Sequence, residues 1–274
     1  MTAMTDPAER LRAADTTSAL ATLTEQVRAR PGDFKLRVFL AQLLCVLGQW
    51  ERALNQLAAA ASLDALALPM KQMYSDAARC ESLRAAVFAG QRAPMVLGQP
   101  DPWLALLIES LLRRGRGDPA SAENLRARAF DAAPSSAGHI DGQRFAWLAD
   151  ADMRIGPVLE AYINGGYYWV ALARLARVRI EPPQDLRDCV WMPAHLDFVN
   201  GGETLALIPT RYAGSENSPD GALQLARKTD WSELAPDVWS GTGQRVLTSD
   251  AGDFALMDVR EIVFEPAAEQ EEGA

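Results

Sequence analysis

The chain has 274 residues, of which 49% are hydrophobic, and this supplies enough apolar side chains for one large or two medium-sized cores. Its formal net charge is -9, so its surface is poorly suited to neutralise the phosphates of nucleic acid or anionic lipid. The composition therefore argues against nucleic acid and membrane surfaces as partners.

The N-terminal residues 1–12 are polar and mixed in charge, without the apolar stretch of a signal peptide. Apolar runs such as residues 104–108 and 205–208 are much shorter than the roughly 20 residues that cross a bilayer. We therefore predict a flexible N terminus over residues 1–16, no membrane insertion and a cytoplasmic location.

Residues 17–134 are rich in Ala, Leu, Arg and Gln at helical spacing and are interrupted by Pro and Gly. Two helix starts stand out, because Asp101-Pro102 and Asp118-Pro119 each place an N-cap acceptor before a proline at the first helical position. This part of the chain is predicted to be a stack of short helices.

A repeat is visible within the helical part. Ala19 and Ala53 are 34 residues apart, as are Leu23 and Leu57, and this spacing matches the length of a tetratricopeptide repeat. The second unit is clearer, since Gly48 allows a turn between two runs of helix-spaced apolar residues. We predict a tetratricopeptide-like domain over residues 17–134 with at most two repeat units.

The character of the chain changes after about Ser135. Five of the seven tryptophans and four of the five tyrosines lie beyond Phe145, in clusters that alternate with turn residues. This pattern predicts a strand-rich α+β domain over residues 140–265, followed by a small, acidic and disordered tail over residues 266–274. The predicted fold class is thus multidomain, α followed by α+β.

The three cysteines, Cys45, Cys80 and Cys189, are odd in number and widely spaced, which is typical of neither a disulfide framework nor a zinc site. Buried reduced thiols are the favoured interpretation. On an extended strand Cys189 and His195 would lie about 20 Å apart, at ~3.3 Å per residue, too far for a catalytic thiolate and imidazole pair.

Other combinations of polar residues also give little support to catalysis. Asp150 and Asp152 lack a third metal ligand nearby, so a solvated loop or a salt bridge to Arg154 is favoured. The glycines at 241 and 243 lack the lysine of a phosphate-binding loop. We predict no catalytic residue, no metal and no cofactor. The alternative is an enzyme whose site in the C-terminal half includes His195 and Asp188, with the helical half selecting the substrate.

An interaction surface remains. In a helix hairpin of the repeat class, the inner face of the first helix is the usual docking groove for an amphipathic helix or extended peptide. Here that face would present Lys35, Val38, Gln42, Cys45 and Val46. The alternative is that a neighbouring helix of the same chain covers this face.

Aromatic residues of the C-terminal half provide another candidate surface, in which Trp191 and Tyr212 would contact the partner. The run Tyr167-Tyr168-Trp169 is different, since its position in a predicted strand favours core packing. A self-assembling scaffold without a peptide ligand is a third possibility for the chain as a whole.

Several segments in order resemble the ImpE/TagJ family, also called SciE-type. The resembling segments are residues 80–90, 147–157, 166–170, 185–188, 191–194, 206–212, 226–231, 243–245 and 257–260. Together they cover roughly residues 20–264, and their shared order is more specific than any one of them.

The resemblance implies an accessory component of bacterial type VI secretion that pairs a tetratricopeptide-like half with an α+β half. It further implies association with the small subunit of the contractile sheath (TssB-type) through a helix of that subunit. An influence on how the sheath meets its disassembly ATPase (ClpV-type) is also implied. These expectations come from the family and not from composition or spacing.

Overall fold

Helices occupy the first half of the chain in the computed structural model, which describes residues 6–99 and 101–266. They are α1 (Pro7–Arg12), α2 (Thr16–Ala29), α3 (Phe34–Val46), α4 (Trp50–Leu63), α5 (Leu68–Phe88), α6 (Pro102–Gly115) and α7 (Pro119–Ala132). Strands dominate the second half, with a short α8 (Gly221–Gln224) between them. The predicted fold class, a helical region followed by a strand-rich region, is confirmed.

Local signals explain where these helices begin and turn. The Asp33 carboxylate accepts a hydrogen bond from the backbone N–H of Leu36 at the start of α3, as expected of an N-cap. The proline starts predicted for α6 and α7 are both present. Gly48 has a φ of +64°, a conformation that favours glycine, and it lies in the turn between α3 and α4. The predicted helix hairpin is therefore present.

The N-terminal segment differs from the flexible one predicted for residues 1–16. Residues 7–12 form α1, the Asp6 carboxylate caps it by accepting from the N–H of Ala8, and Leu11 is buried in the core. A short helix forms here because its apolar face has a surface to pack on. Residues 1–5 and most of the predicted disordered tail, residues 267–274, lie outside the described residues.

The strands form one large sheet and two small ones. Their bounds are β1 (Met95–Val96), β2 (Gly138–Ile140), β3 (Gln143–Phe145), β4 (Leu148–Asp150), β5 (Val158–Ile163), β6 (Gly166–Ala171), β7 (Leu175–Ile180), β8 (Trp191–Phe198), β9 (Glu203–Pro209), β10 (Thr229–Ala235), β11 (Val238–Gly243), β12 (Val246–Ser249), β13 (Gly252–Ala255) and β14 (Glu261–Phe264). The nine-stranded sheet has the order β1-β6-β5-β9-β8-β7-β14-β2-β3, β10 pairs with β11, and β13-β12-β4 form the third sheet.

Two features of the strands were not predicted. All six residues of β5 are buried, so the strand lacks the alternation of apolar and polar residues that reveals a half-exposed strand. The stretch 254–264 is divided between β13 and β14 by a turn. β13 belongs to the three-stranded sheet, whereas β14 belongs to the nine-stranded sheet.

The helical and strand-rich regions share one core. Trp191 of β8 stacks on Trp50 of α4, with ring centroids 5.8 Å apart, and meets Tyr74 of α5 edge-on at 5.6 Å. The same cluster includes Leu44 of α3 and Trp169 of β6. A second core lies within the strand-rich region. The predicted segments 17–134 and 140–265 are therefore packed together through shared apolar side chains.

The fold also determines how far each cysteine thiol is buried. Cys45 and Cys80 are buried, Cys189 is partly buried, and all three are free. Burial raises the pKa of each thiol, that of Cys80 to about 12, which disfavours the reactive thiolate.

Among the described residues, no helix is both long and apolar enough to cross a membrane.

Candidate interaction site

The predicted docking face on α3 is open only at its N-terminal end. Lys35 is exposed and Val38 is partly buried, and both line a pocket of about 380 Å³ together with Leu66. Gln42 lines the same pocket but is buried, and its Nε2 lies 3.4 Å from the hydroxyl of Tyr74, a weak hydrogen bond. This small pocket is what remains of the predicted groove.

The C-terminal end of that face is covered by the chain itself. Cys45 and Val46 are buried, and α3 packs against a 3-10 turn, Leu186–Cys189, from the strand-rich region. Arg211 reaches the same place and donates from Nη1 to the carbonyl of Val46 at 2.7 Å. The prediction that Cys45 and Val46 contact a partner is wrong. The same chain does cover them, but with this turn and Arg211 of the strand-rich region rather than with the neighbouring helix of the alternative.

Trp191 and Tyr212 also lie in the interior. The Trp191 indole Nε1 donates to Glu81 Oε1 at 2.8 Å, and the Tyr212 hydroxyl accepts from the N–H of Val246 at 3.0 Å. Both rings are buried, so the prediction that they contact a partner directly is corrected. Their role in this structure is to join helices, strands and loops.

The two residues of the alternative enzyme hypothesis do not meet in one site. His195 is exposed on β8, where its Nε2 lies 3.9 Å from Glu181 Oε1. Asp188 is buried in the 3-10 turn, and its carboxylate accepts from the backbone N–H groups of Gln184 and Asp185 at 2.7 and 3.0 Å. His195 lines a cavity of about 540 Å³ that Asp188 does not line.

Asp150 and Asp152 are buried rather than part of a solvated loop. Asp152 forms the predicted salt bridge to Arg154, at 2.5 Å between Oδ2 and Nη2. Asp150 pairs with Arg245, and its other oxygen accepts from the N–H of Asp152 at 2.8 Å. Burial outweighs the Arg245 charge and raises the pKa of Asp150 to about 6.

The second carboxylate of this buried network belongs to Glu160. Burial opposes its ionisation, but the guanidinium groups of Arg84 and Arg245 outweigh burial and hold the pKa of Glu160 at about 2. Trp169 donates from Nε1 to the hydroxyl of Tyr167 at 2.7 Å, which in turn donates to Glu160 Oε1 at 2.6 Å. The predicted core packing of Tyr167 and Trp169 is confirmed. Every carboxylate of the network is satisfied, as a structural role requires.

A larger surface feature lies elsewhere. Trp147, Trp231 and Trp239 line a cavity of about 760 Å³ on the protein surface, which we name the tryptophan groove. Its further apolar lining comes from the end of α7, the segment after it, β4 and the loop after β4. These residues are Phe130, Ala133, Pro134, Leu148, Met153 and Pro157.

The hairpin of β10 and β11 positions two of the tryptophans. Trp231 is directly opposite Gly241, and Glu233 is directly opposite Trp239. Opposed residues of an antiparallel pair share a face, as do residues two apart on a strand. Trp231, Glu233 and Trp239 therefore lie on one face of the hairpin.

Contacts beneath the hairpin hold it in place. The N–H of Met153 donates to the carbonyl of Trp239 at 3.0 Å. The ring of Tyr212 lies under Gly241 and 5.7 Å from the ring of Trp231. Tyr212 thus supports the tryptophan groove from the interior, although it was predicted to contact the partner itself.

The tryptophans of the groove are unusually open. Trp147, Trp231 and Trp239 expose 41%, 39% and 41% of their surface, whereas Trp169 and Trp191 are fully buried. Aromatic residues are enriched in the central contacts of protein interfaces, and large apolar patches on a surface mark interaction sites. The groove has the shape and lining to accept apolar side chains of a partner.

Sequence reasoning missed this groove. Trp147 lies just before β4, whereas Trp231 and Trp239 lie far along the chain on β10 and β11. The three tryptophans therefore share no local periodicity. The available signal was the concentration of tryptophan in the strand-rich half. That signal predicted an aromatic contact surface in this half. The residues predicted to form it, Trp191 and Tyr212, are buried.

Comparison with known proteins supports a common fold and family. The family model described as ImpE protein matches residues 142–263. The type VI secretion system accessory component TagJ of Pseudomonas aeruginosa is 50% identical, over 94% of this chain and 90% of its own length. The crystal structure of VPA1032 from Vibrio parahaemolyticus is similar with a TM-score of 0.82 and 25% identity, over 94% of this chain and 97% of that one.

These matches confirm the family resemblance drawn from the separated segments of the sequence. The alignment with the Pseudomonas aeruginosa relative covers nearly the whole of both chains, so it includes both the helical and the strand-rich regions. The chain belongs to the ImpE/TagJ family.

Proposed function

We propose that this protein is a non-enzymatic, cytoplasmic accessory component of type VI secretion that binds a helix of the small sheath subunit (TssB-type). The 50% identical relative is described as an accessory component of that system, which supports the accessory role. The sheath subunit as partner was an expectation from the family resemblance and is part of the proposal.

The observation that carries the proposal is the tryptophan groove. An amphipathic helix binds by laying its apolar face into a hydrophobic groove, and three half-exposed indoles around a cavity of about 760 Å³ offer such a surface. We place the docking site here rather than on α3, because only the Lys35 and Val38 end of the predicted face is open.

The absence of enzymatic activity is also a proposal. It is supported by the engagement of the buried ionisable groups, since Asp150, Glu160 and Asp188 all accept hydrogen bonds or ion pairs from the protein itself. Among the described residues, no group of three or more His, Cys, Asp or Glu side chains is arranged to hold a metal ion.

An effect on the ClpV-type ATPase follows if the helix held in the groove is one that the sheath also exposes to that ATPase. Binding would then reduce the fraction of subunits that the ATPase can engage. The purified ATPase, sheath and this protein can be combined to measure the rate of sheath disassembly. A rate that does not change at saturating protein would overturn this part of the proposal.

The partner is tested with the purified small sheath subunit titrated against the full chain by calorimetry. Trp239→Ala should weaken binding by at least about 10-fold, the loss typical of an aromatic interface residue. Val199→Ala is the matched control, because Val199 is an exposed hydrophobic residue that does not line the groove. If the wild-type chain does not bind the subunit, the proposed partner is wrong. If Trp239→Ala binds as tightly as the wild type, the docking site is not in the tryptophan groove.

A further inference from the structure

We infer that the tryptophan groove selects a segment of another protein that carries arginine or lysine beside its apolar anchors. The inference rests on the proposed function for the identity of that protein, but the recognition chemistry is argued from the groove alone. It therefore adds a requirement on charge to the requirement for an apolar face.

The charges that line the groove have one sign. Among the described residues, the charged ones that line it are Asp150 and Asp253, and no described Lys, Arg or His does so. Asp150 is neutralised by its pair with Arg245. Asp253 is exposed and forms no ion pair with any residue in the described part of the chain. An unneutralised carboxylate thus lies at the edge of a mostly apolar surface.

A second carboxylate lies beside the tryptophans of the hairpin, just outside the groove lining. Glu233 is exposed on the face that carries Trp231 and Trp239. Its Oε1 lies 3.3 Å from the backbone N–H of Asp237, and within residues 6–99 and 101–266 it has no ion pair. Two nearby cations already have partners. Arg154 is paired with Asp152, and Arg114, which donates to the carbonyl of Leu234 at 3.5 Å, lies 3.9 Å from Glu123. The rim of the groove is therefore negative.

Indole rings and carboxylates together favour a cationic side chain. A guanidinium or ammonium group is attracted to the face of a tryptophan ring, and a guanidinium can also pair with a carboxylate through directed hydrogen bonds. Trp239 and its cross-strand neighbour Glu233 offer both contacts at one place. This combination is matched by arginine or lysine next to an apolar residue.

Ser136 gives a separate indication that the groove accepts a ligand. Its side chain lines the groove, only 8% of the residue is exposed, and its hydroxyl has no hydrogen-bond partner among the described residues. Buried polar groups are usually hydrogen-bonded. A backbone or side-chain polar group of the bound segment would satisfy this hydroxyl, which apolar contacts alone would not.

A second copy of the same chain is a poorer occupant. The chain carries a net charge of -9, so bringing a second copy against a negative rim is opposed by charge repulsion. A cationic segment of a different protein has the complementary charge. Self-association through the groove is kept as an outcome of the test.

The test uses charge reversal in the full-length protein. The double variant Glu233→Lys/Asp253→Lys should weaken binding of the purified small sheath subunit by about 10-fold, the expected effect of reversing two exposed charges at a rim. Glu203→Lys is the matched control, since Glu203 is exposed on β9 outside the groove. Thermal unfolding of each variant verifies that it is folded.

A second measurement does not depend on the sheath subunit. Peptides selected from a random display library on the full-length protein should be enriched in Arg or Lys beside Trp, Leu or Phe. Their binding should be lost in Trp239→Ala and should weaken as salt rises from about 50 to about 200 mM.

The outcomes separate this inference from the proposed function. If the subunit binds and charge reversal has no effect beyond the Glu203→Lys control, the inference is overturned and the proposed partner stands. If the subunit does not bind but selected peptides are cationic and depend on Trp239, the inference stands and the partner is wrong. Selected peptides without cationic enrichment, or a dimer of this chain that Trp239→Ala abolishes, would overturn the inference.

Discussion

Arg84 of α5 and Glu160 of β5 form a two-armed ion pair inside the protein. Arg84 Nε donates to Glu160 Oε1 at 2.8 Å, and Nη2 donates to Oε2 at 3.0 Å, with both residues buried. The same Nη2 donates to the carbonyl of Arg211 at 2.8 Å. One side chain of the helical region thus bonds to two places in the strand-rich region.

Arg84→Met should destabilise the protein by about 3 kcal/mol or more, because removing one partner of a buried ion pair leaves the other charge less well compensated. Urea unfolding followed by circular dichroism measures the loss. Arg79→Met is the control on the same helix, since Arg79 is exposed and an exposed pair contributes about 1 kcal/mol or less. Equal losses in the two variants would contradict the structural role given to the buried pair.

The buried carboxylates should give the stability a defined pH dependence. The pKa of Glu160 is lowered from 4.5 to about 2, so its contribution is complete above pH 4.5 and is lost as the pH falls toward 2. The pKa of Asp150 is raised from 3.8 to about 6, so its contribution is present below pH 3.8 and is lost as the pH rises through 6. The two groups act in opposite directions.

Asp150→Asn separates these two effects. Without the Asp150 carboxyl, the free energy of unfolding should no longer carry its decline between pH 3.8 and about 6, while the acid loss due to Glu160 should remain. Urea unfolding at a series of pH values measures both. Parallel pH profiles for the variant and the wild type would show that Asp150 does not titrate in that window.

Gly241→Ala should disrupt the tryptophan groove from beneath. A Cβ atom at this position would lie 2.2 Å from Tyr212 Cδ2, so the hairpin or the ring must move. We expect a loss of about 1–3 kcal/mol in stability, as for an overpacked core, together with weaker partner binding. Gly32→Ala is the control, because a Cβ atom there meets no atom within 4 Å. An unchanged Gly241→Ala variant would contradict this packing.

Aspartate substitutions on α3 distinguish a docking face from a core. Val46→Asp should prevent stable folding, because it places a charge at a fully buried position. Val38→Asp should leave the chain folded, since Val38 is only partly buried, and should not weaken binding if docking occurs at the tryptophan groove. Circular dichroism and calorimetry with the sheath subunit measure the two properties. If Val38→Asp folds but no longer binds the subunit, the docking site lies on α3 and not in the tryptophan groove.

The sequence by itself determined features that depend on neighbouring residues. The α3 and α4 hairpin could be predicted because Gly48 and the helical spacing around it are local signals. The Asp152 and Arg154 salt bridge joins residues two apart, so it was also accessible. The order of a helical and a strand-rich region followed from composition, and family membership followed from motifs distributed along the chain.

Only the tertiary structure decided which surfaces are open. Val46 looked available because nothing near it in the sequence covers it, yet Arg211 and the turn at Leu186–Cys189 arrive from the other half of the chain. The tryptophan groove forms because the β10 and β11 hairpin is held over the loop that follows β4. This packing brings together Trp147, Trp231 and Trp239. Exposure depends on contacts between residues distant in sequence, and no local periodicity encodes those contacts.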